Sequence, residues 1–502
     1  MQRVDKLAKQ VEELNAEYSR LNWVKYTAGY DMGIQEAYEK ITDLVKDKDN
    51  LDLILELKEK TRDEFDLRKL DVMYNFIKNY HKSEDVNALL IEINDLTNKL
   101  SNILNTFRFK IDGVGVTSAT LHKIMSEDED REKRKEAYMA QNQINEVLVD
   151  AGFIELINMR KKLSILSGYK NFVEYKLEED ELSQDVFASF RGDLKKLLPK
   201  IKTVRSSCAK EFIASGDVMP WDERFIQSKL APILNTKVDM SEYFEKLNNF
   251  FLKFGFDLTK YNITYDIFPR RNKSEWGYNF PIECGKDSRI LANVQNKYRE
   301  YGVLLHETGH GLHSFLLDAE QTVLNIGVSG IVSEGIANLF GGFLYEPIFY
   351  TDFFDGQEVD AQFKKLKEWN EVNSLRAIHR IVFDQELYLR ELTCLEDINN
   401  LYFELYSELF EEERFAKNPP WAFLIHHTTH PIYLHNYFMG DVTCAMVKDV
   451  FCNLTKVDSV AEKPRGFGAF VKAELIDVSG LHPYEELFKR ISREEFSLKY
   501  ML

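Results

Sequence analysis

His306-Glu307-Thr308-Gly309-His310, which reads H-E-x-x-H, is the stretch on which this chain turns. It lies in a segment with helical character, from about Asn296 to Phe315. Residues four apart on an α-helix differ by about 40° in azimuth, so His306 and His310 project from one face and can grip one metal ion. Glu307 sits about 100° round the helix from His306, where its carboxylate reaches a metal-bound water without becoming a ligand. Two nitrogen ligands, an open position for water and a base beside it are the working parts of zinc-assisted hydrolysis. The plain alternative is a pair of ordinary helix histidines.

A catalytic zinc takes three protein ligands and leaves the fourth position to water. Downstream runs Ile326-Gly327-Val328-Ser329-Gly330-Ile331-Val332-Ser333-Glu334-Gly335-Ile336-Ala337-Asn338-Leu339-Phe340, in which Glu334 is the one acid. A lone carboxylate on such an apolar, small-residue helix is costly to bury unless it is paired or metal-bound. Glu334 follows His310 by 24 positions (334 minus 310) and is the candidate third ligand. A buried salt bridge is the rival reading, and Glu320, in a polar Asp-Ala-Glu-Gln stretch, is the rival residue. Asn338 lies one turn beyond Glu334, placed either to hold the free nitrogen of a zinc histidine or simply to pack between helices.

The H-E-x-x-H helix followed at 24 residues by E-G-I-A-N resembles the zinc site of angiotensin-converting enzyme. It is also similar to that of the oligopeptidases related to thimet oligopeptidase and oligoendopeptidase F. The resemblance implies that Glu334 is the third ligand and that Asn338 supports a zinc histidine. It further implies that the segment Cys284 to Val294 is an edge strand, whose backbone near Ala292 and Asn293 pairs with an extended peptide substrate. A second block, His426-His427-Thr428-Thr429-His430-Pro431-Ile432-Tyr433-Leu434-His435-Asn436-Tyr437, matches at His427 and Tyr437, ten residues apart. In these families such a pair steadies the oxyanion of a tetrahedral intermediate, as a donor aimed at developing negative charge does. Tyr433, one turn before Tyr437, is expected to touch the same substrate, and His430 competes with His427 for the histidine role.

The resemblance runs from about Trp276 to Tyr345 and from Trp421 to Val447, with a weaker stretch over Asn158–Leu177. It departs at Ile425, where angiotensin-converting enzyme has a lysine for the substrate's terminal carboxylate, so removal of C-terminal dipeptides is not implied. At 502 residues the chain is shorter than most thimet-type enzymes. Its length suits the metallocarboxypeptidases of the same clan, which remain the alternative reading within enzymes. Outside enzymes, the alternative is a helical binding protein with a vestigial motif.

The rest of the sequence frames these motifs. No Ser-, Gly- or Pro-rich linker divides the chain, and 44% hydrophobic with 13% aromatic residues suffices for a large core. Five scattered cysteines suggest reduced thiols in a cytoplasmic protein, and no apolar run reaches the roughly 18 residues of a membrane span. A net charge of −17 argues against nucleic acid as a partner. Val4, Leu7, Val11, Leu14, Tyr18 and Leu21 repeat at helical spacing, as do Leu89, Ile93, Leu96, Leu100, Ile103 and Phe107, suggesting a long helical hairpin. The charged run Ser126 to Glu136 reads as a solvated helix start, and alternation at Tyr261, Ile263, Tyr265 and Ile267 as a strand.

The expectation is a single, mainly α peptidase domain over 1–502. It has two intertwined helical lobes about a deep central cleft, a helical region over about 1–120, a catalytic core over about 255–450 and one small sheet near the active site. Its cofactor is one Zn2+ ion, its partners short peptides, with no nucleic acid and no membrane.

Overall fold

The computed structural model describes residues 1–274 and 277–501, so Trp276 lies outside the described residues. The fold is mainly α, with five short strands among the described residues: β1 (Phe109–Ile111), β2 (Val114–Val116), β3 (Ile263–Asp266), β4 (Tyr278–Glu283) and β5 (Asp287–Leu291). The chain divides into two compact units, each assembled from separated stretches of sequence.

The first unit comprises Met1–Lys82, Ile233–Gly356 and Met439–Phe496. Its opening helix, Gln2–Ala28, buries Val4, Leu7 and Val11 against Leu70, Met73 and Ile77 of the helix Glu64–Lys78. Asp47 and Asp63 cap the helices that follow them by accepting from the backbone N–H of Asp49 and Asp66. The three-stranded sheet has the order β3-β5-β4, with β5 parallel to β3 and antiparallel to β4. The segment expected at the sheet edge is therefore its centre. Two neighbours already take the hydrogen bonds that strand addition would need. Beyond the sheet, the helix 300–316 carries the H-E-x-x-H motif. The stretch expected as one helix over 326–340 instead breaks, giving Thr322–Ile326 and Gly330–Gly341, the latter capped by Ser329.

The second unit comprises Ser83–Pro232, Gln357–Phe438 and the stretch from Ser497. Its helix Glu84–Thr106 packs on Phe153–Leu166. The two apolar stripes read as one hairpin thus belong to different units, each consumed by a different partner. The sheet count also differs, because β1 and β2 form an antiparallel ribbon. Its turn is Asp112-Gly113, both with positive φ (50° and 78°), the Asp-Gly signal of a tight hairpin. Asp130 caps the helix Arg131–Ala140 as the charged run suggested. Solvation of that run is not complete, however. Arg134 is 1% exposed, and it and Arg131 hold the buried Asp222 carboxylate at 3.0 and 2.7 Å. A helix-face pattern cannot reveal a partner so far along the chain.

His379 is buried in this unit beside Tyr402 and Phe383, with its Nε2 2.9 Å from the Tyr402 carbonyl. Burial lowers its pKa to about 3, against the hydrogen bond to Tyr402. The unfolded chain therefore binds a proton that the folded chain refuses between pH 6.5 and about 3, and stability must fall as pH drops through that window. His379→Gln should reduce the slope of unfolding free energy by about 1.4 kcal/mol per pH unit below pH 6.5. Urea midpoints from pH 6.5 to 5 check this, and parallel slopes for the two proteins would contradict it.

Candidate active site

Two helices of the first unit, Glu300–Leu316 and Gly330–Gly341, carry the motif residues. They touch backbone to backbone. A Cβ at Gly309 would lie 2.9 Å from the Ala337 Cα and 3.2 Å from the Ile336 carbonyl oxygen, so only glycine fits that crossing. The contact brings Glu334 opposite the two histidines. Its Oε2 lies 3.8 Å from His306 Nε2 and 3.9 Å from His310 Nε2, and all three ligand atoms fall within 4.8 Å of one another. Ligands about 2.0–2.1 Å from a tetrahedral zinc stand roughly 3.3 Å apart, so a small closure of these side chains would seat one ion.

The far sides of the rings are held. His310 Nδ1 lies 3.0 Å from Ser333 Oγ. His306 hydrogen-bonds to Asn338, and the Asn338 amide nitrogen donates to Asp441 Oδ1 at 2.9 Å. That donation leaves the Asn338 carbonyl oxygen to accept from His306, which fixes the ring with its Nε2 toward Glu334. Asp441 lies on the helix Leu434–Thr455. Sequence reasoning missed it and Ser333, although a lone carboxylate on an apolar helix was the signal that singled out Glu334.

Electrostatics favour a cation here. Burial pushes the His310 pKa down to about 3, with the charges of His306 and His313 adding to it, and lowers that of His306. Both rings are therefore neutral and present lone pairs at neutral pH. Burial raises Glu334 to about 7, helped by Asp441, and raises Glu307 to about 8, helped by Glu334. Among the described residues no Lys or Arg pairs with either carboxylate. Two uncharged imidazoles beside unneutralised buried carboxylates are a donor set suited to a divalent ion. Glu307 is 7% exposed, and a Cβ at Gly277 would come within 3.1 Å of its Oε1, so glycine there leaves room beside the carboxylate. A cavity of about 500 Å³ opens onto His306, Glu307, Asn338, Tyr345 and Asp441.

The remaining candidates fall differently. Ala292 is fully buried. Its N–H donates to the Asp266 carbonyl at 3.0 Å and its own carbonyl accepts from Lys273 Nζ at 2.6 Å, so its backbone has nothing left for a peptide. Asn293 donates its side-chain amide to the Ser274 carbonyl. In the second unit, His427 is buried, with Nδ1 2.9 Å from Asp384 Oδ1, and Asp384 also accepts from the Ile432 N–H. The exposed members of that block are His430 and Tyr437, with His426 and Tyr433 half-buried. His426 stands 6.2 Å from the Tyr437 ring and Tyr433 5.5 Å from it, centroid to centroid. The sequence spacing picked His427; the structure sets its neighbour His426 beside Tyr437. Alternation along a single helical turn could not tell the two apart.

The model of peptidase family M3 matches residues 124–252, a stretch upstream of both motif helices. No curated protein matches the sequence. Among solved structures, PZ peptidase A with an inhibitor superposes with a TM-score of 0.68 at 16% identity, covering 96% of this chain and 86% of that one. An oligoendopeptidase F gives 0.69 at 15% identity over 98% and 88%, and the carboxypeptidase of Pyrococcus furiosus 0.65 at 14% over 100% and 97%. These likenesses establish a shared fold. With the family match over residues 124–252, they support a helical metallopeptidase.

The helix crossing can be probed directly. Gly309→Ala should force the two helices apart, lower stability by roughly 1–3 kcal/mol and weaken metal binding about tenfold or more. Metal content after dialysis against a chelator checks this, and wild-type retention would show that the crossing does not set the site.

Proposed function

We propose that the chain is a zinc-dependent oligopeptidase, with one zinc ion held by His306, His310 and Glu334. The observation that carries the reading is the convergence of two neutral imidazoles and one unneutralised carboxylate from two helices in backbone contact. When bound, zinc supplies a Lewis acid that polarises the scissile carbonyl and makes water a nucleophile near neutral pH. Glu307 takes the proton of the attacking water and delivers it to the leaving amine. Its desolvated carboxyl, raised toward neutrality by burial, suits a group that must accept and then return a proton. Asn338 and Ser333 fix the rotation of the two imidazoles, and Asp441 in turn orients Asn338.

Tyr437 is assigned, from the resemblance, the donation of its phenol hydrogen to the developing oxyanion. Its side chain is 42% exposed. His426 takes the supporting part first read onto His427, whose ring is committed to Asp384. The substrates proposed are short peptides in extended form. None of the five cysteines is in a disulfide, in agreement with a cytoplasmic setting.

Mass analysis of the products from a peptide of defined sequence tests the substrate class. Internal cleavage is expected, and a ladder losing one C-terminal residue at a time would mark a carboxypeptidase instead. Glu307→Gln should keep its metal and lose peptide turnover by about three orders of magnitude or more. Surviving turnover would remove Glu307 from its role. Tyr437→Phe should lower kcat about tenfold or more with little change in KM, and an unaltered kcat would refute the donor assignment.

A further inference from the structure

The cavity beside the ligand cluster lies wholly within the first unit and is walled largely by backbone. Four glycines line it, Gly277, Gly302, Gly341 and Gly342, with Val303 and Tyr345 as the side chains outside the ligand cluster and its braces. Its volume of about 500 Å³ far exceeds the roughly 30 Å³ that a water takes, and falls in the range of ligand pockets, about 300–1,000 Å³. Glu307, 7% exposed, faces this space and makes no hydrogen bond or ion pair among the described residues. Whatever enters the cavity therefore meets a buried carboxyl with no partner of its own.

Packing accounts for three of the four glycines. A Cβ on Gly302 would come within 3.0 Å of Leu344 Cδ2, one on Gly341 within 3.3 Å of the His306 Cβ, and one on Gly277 within 3.1 Å of Glu307 Oε1. Gly342 is the exception. It opens the turn Gly342–Tyr345 with a φ of −64°, which any residue adopts, and a Cβ there would meet nothing nearer than Lys448 Nζ at 3.8 Å. Glycine in a helical turn costs backbone entropy, and at Gly342 neither conformation nor crowding requires it. Its bare backbone leaves that wall of the cavity open.

The walls also select the occupant. Glu307 and Asp441 disfavour an anion, while the proposed metal ion disfavours a cation, as does Lys448, which makes no ion pair among the described residues. Val303, 42% exposed, and Tyr345 offer apolar surface. An aromatic ring covers such surface with a large buried area. We propose that the cavity is the subsite for a large neutral side chain, aromatic above all, next to the scissile bond, and that Gly342 is the residue that keeps it open. The proposal rests on the peptidase reading, and its test is arranged so that either can fail alone.

The probes are a peptide of Ala and Gly and its single substitutions to Phe, Arg or Glu, placed at each position in turn. Product masses show which bond the wild-type chain cuts. Cleavage beside Phe should exceed cleavage beside Ala roughly tenfold or more in kcat/KM. In Gly342→Leu that ratio should fall to one or below, and Gly342→Ala should lie between, with thermal unfolding checking that both variants fold. Equal rates beside Phe and Ala, a preference for Arg or Glu, or a ratio unchanged in Gly342→Leu would overturn the subsite and leave the peptidase standing. Calorimetry on the full chain carrying Glu307→Gln, with and without Gly342→Leu, reads binding of the same peptides apart from turnover. Tighter binding of a Phe peptide that Gly342→Leu abolishes, with no bond cut by the wild-type chain, would sink the peptidase reading and leave the cavity as a binding site for aromatic side chains.

Discussion

The metal-type site rests on a van der Waals contact between two backbones, Gly309 on one helix against Ala337 on the other. Everything at the site follows from how near those axes come. A carboxylate side chain is short, and Glu334 reaches both imidazoles only because nothing larger than a hydrogen stands between the helices. The same closeness recurs on the outer side of the Gly330–Gly341 helix. There a Cβ on Gly335 would meet the Gly440 carbonyl at 3.3 Å, and one on Gly440 the Gly335 nitrogen at 3.0 Å. Asp441, next in the chain, is thereby brought to Asn338.

That packing also explains the electrostatics. Close helices exclude water, and exclusion of water makes the imidazoles neutral and the carboxylates costly. Behind the site stands a cluster of aromatic rings, with Phe340 against Phe251 at 4.9 Å and Phe343 against Phe254 at 5.0 Å. These rings fill the first unit's interior on the side away from the ligands and give the Gly330–Gly341 helix a firm seat. Burying several titratable groups with so few fixed counter-charges is unfavourable for folding alone, which is the usual mark of a site kept for chemistry.

Much of the His306, His310 and Glu334 grouping was legible in the sequence because it depends on local periodicity. Four-residue spacing places His306 and His310 on one face whatever the surroundings, and a lone acid among apolar residues announces Glu334. The reading failed where the answer depends on partners distant along the chain. The segment through Ile290 looked like an edge because nothing in its own residues shows that β3 will pair parallel to it. Arg134 looked solvated because its counter-charge, Asp222, comes from another helix turn altogether. His427 and His426 differ by one position, and which of them turns inward is set by Asp384. The β1–β2 ribbon is a different case: its Asp112-Gly113 turn was there to be read and was overlooked among helical neighbours.

The three residues assigned to the ion, and both faces of the glycine crossing that aligns them, fall within one unbroken run from Gly302 to Gly341. Such a run can be duplicated, shuffled or transplanted as a single genetic fragment. Asp441 lies outside it, contributed by a helix encoded a hundred codons later. A relocated copy would therefore carry the grip on the ion but not the brace that holds the His306 ring in register. Any lineage that reused the fragment would have to supply that carboxylate anew, together with the Gly440 contact and the aromatic seat.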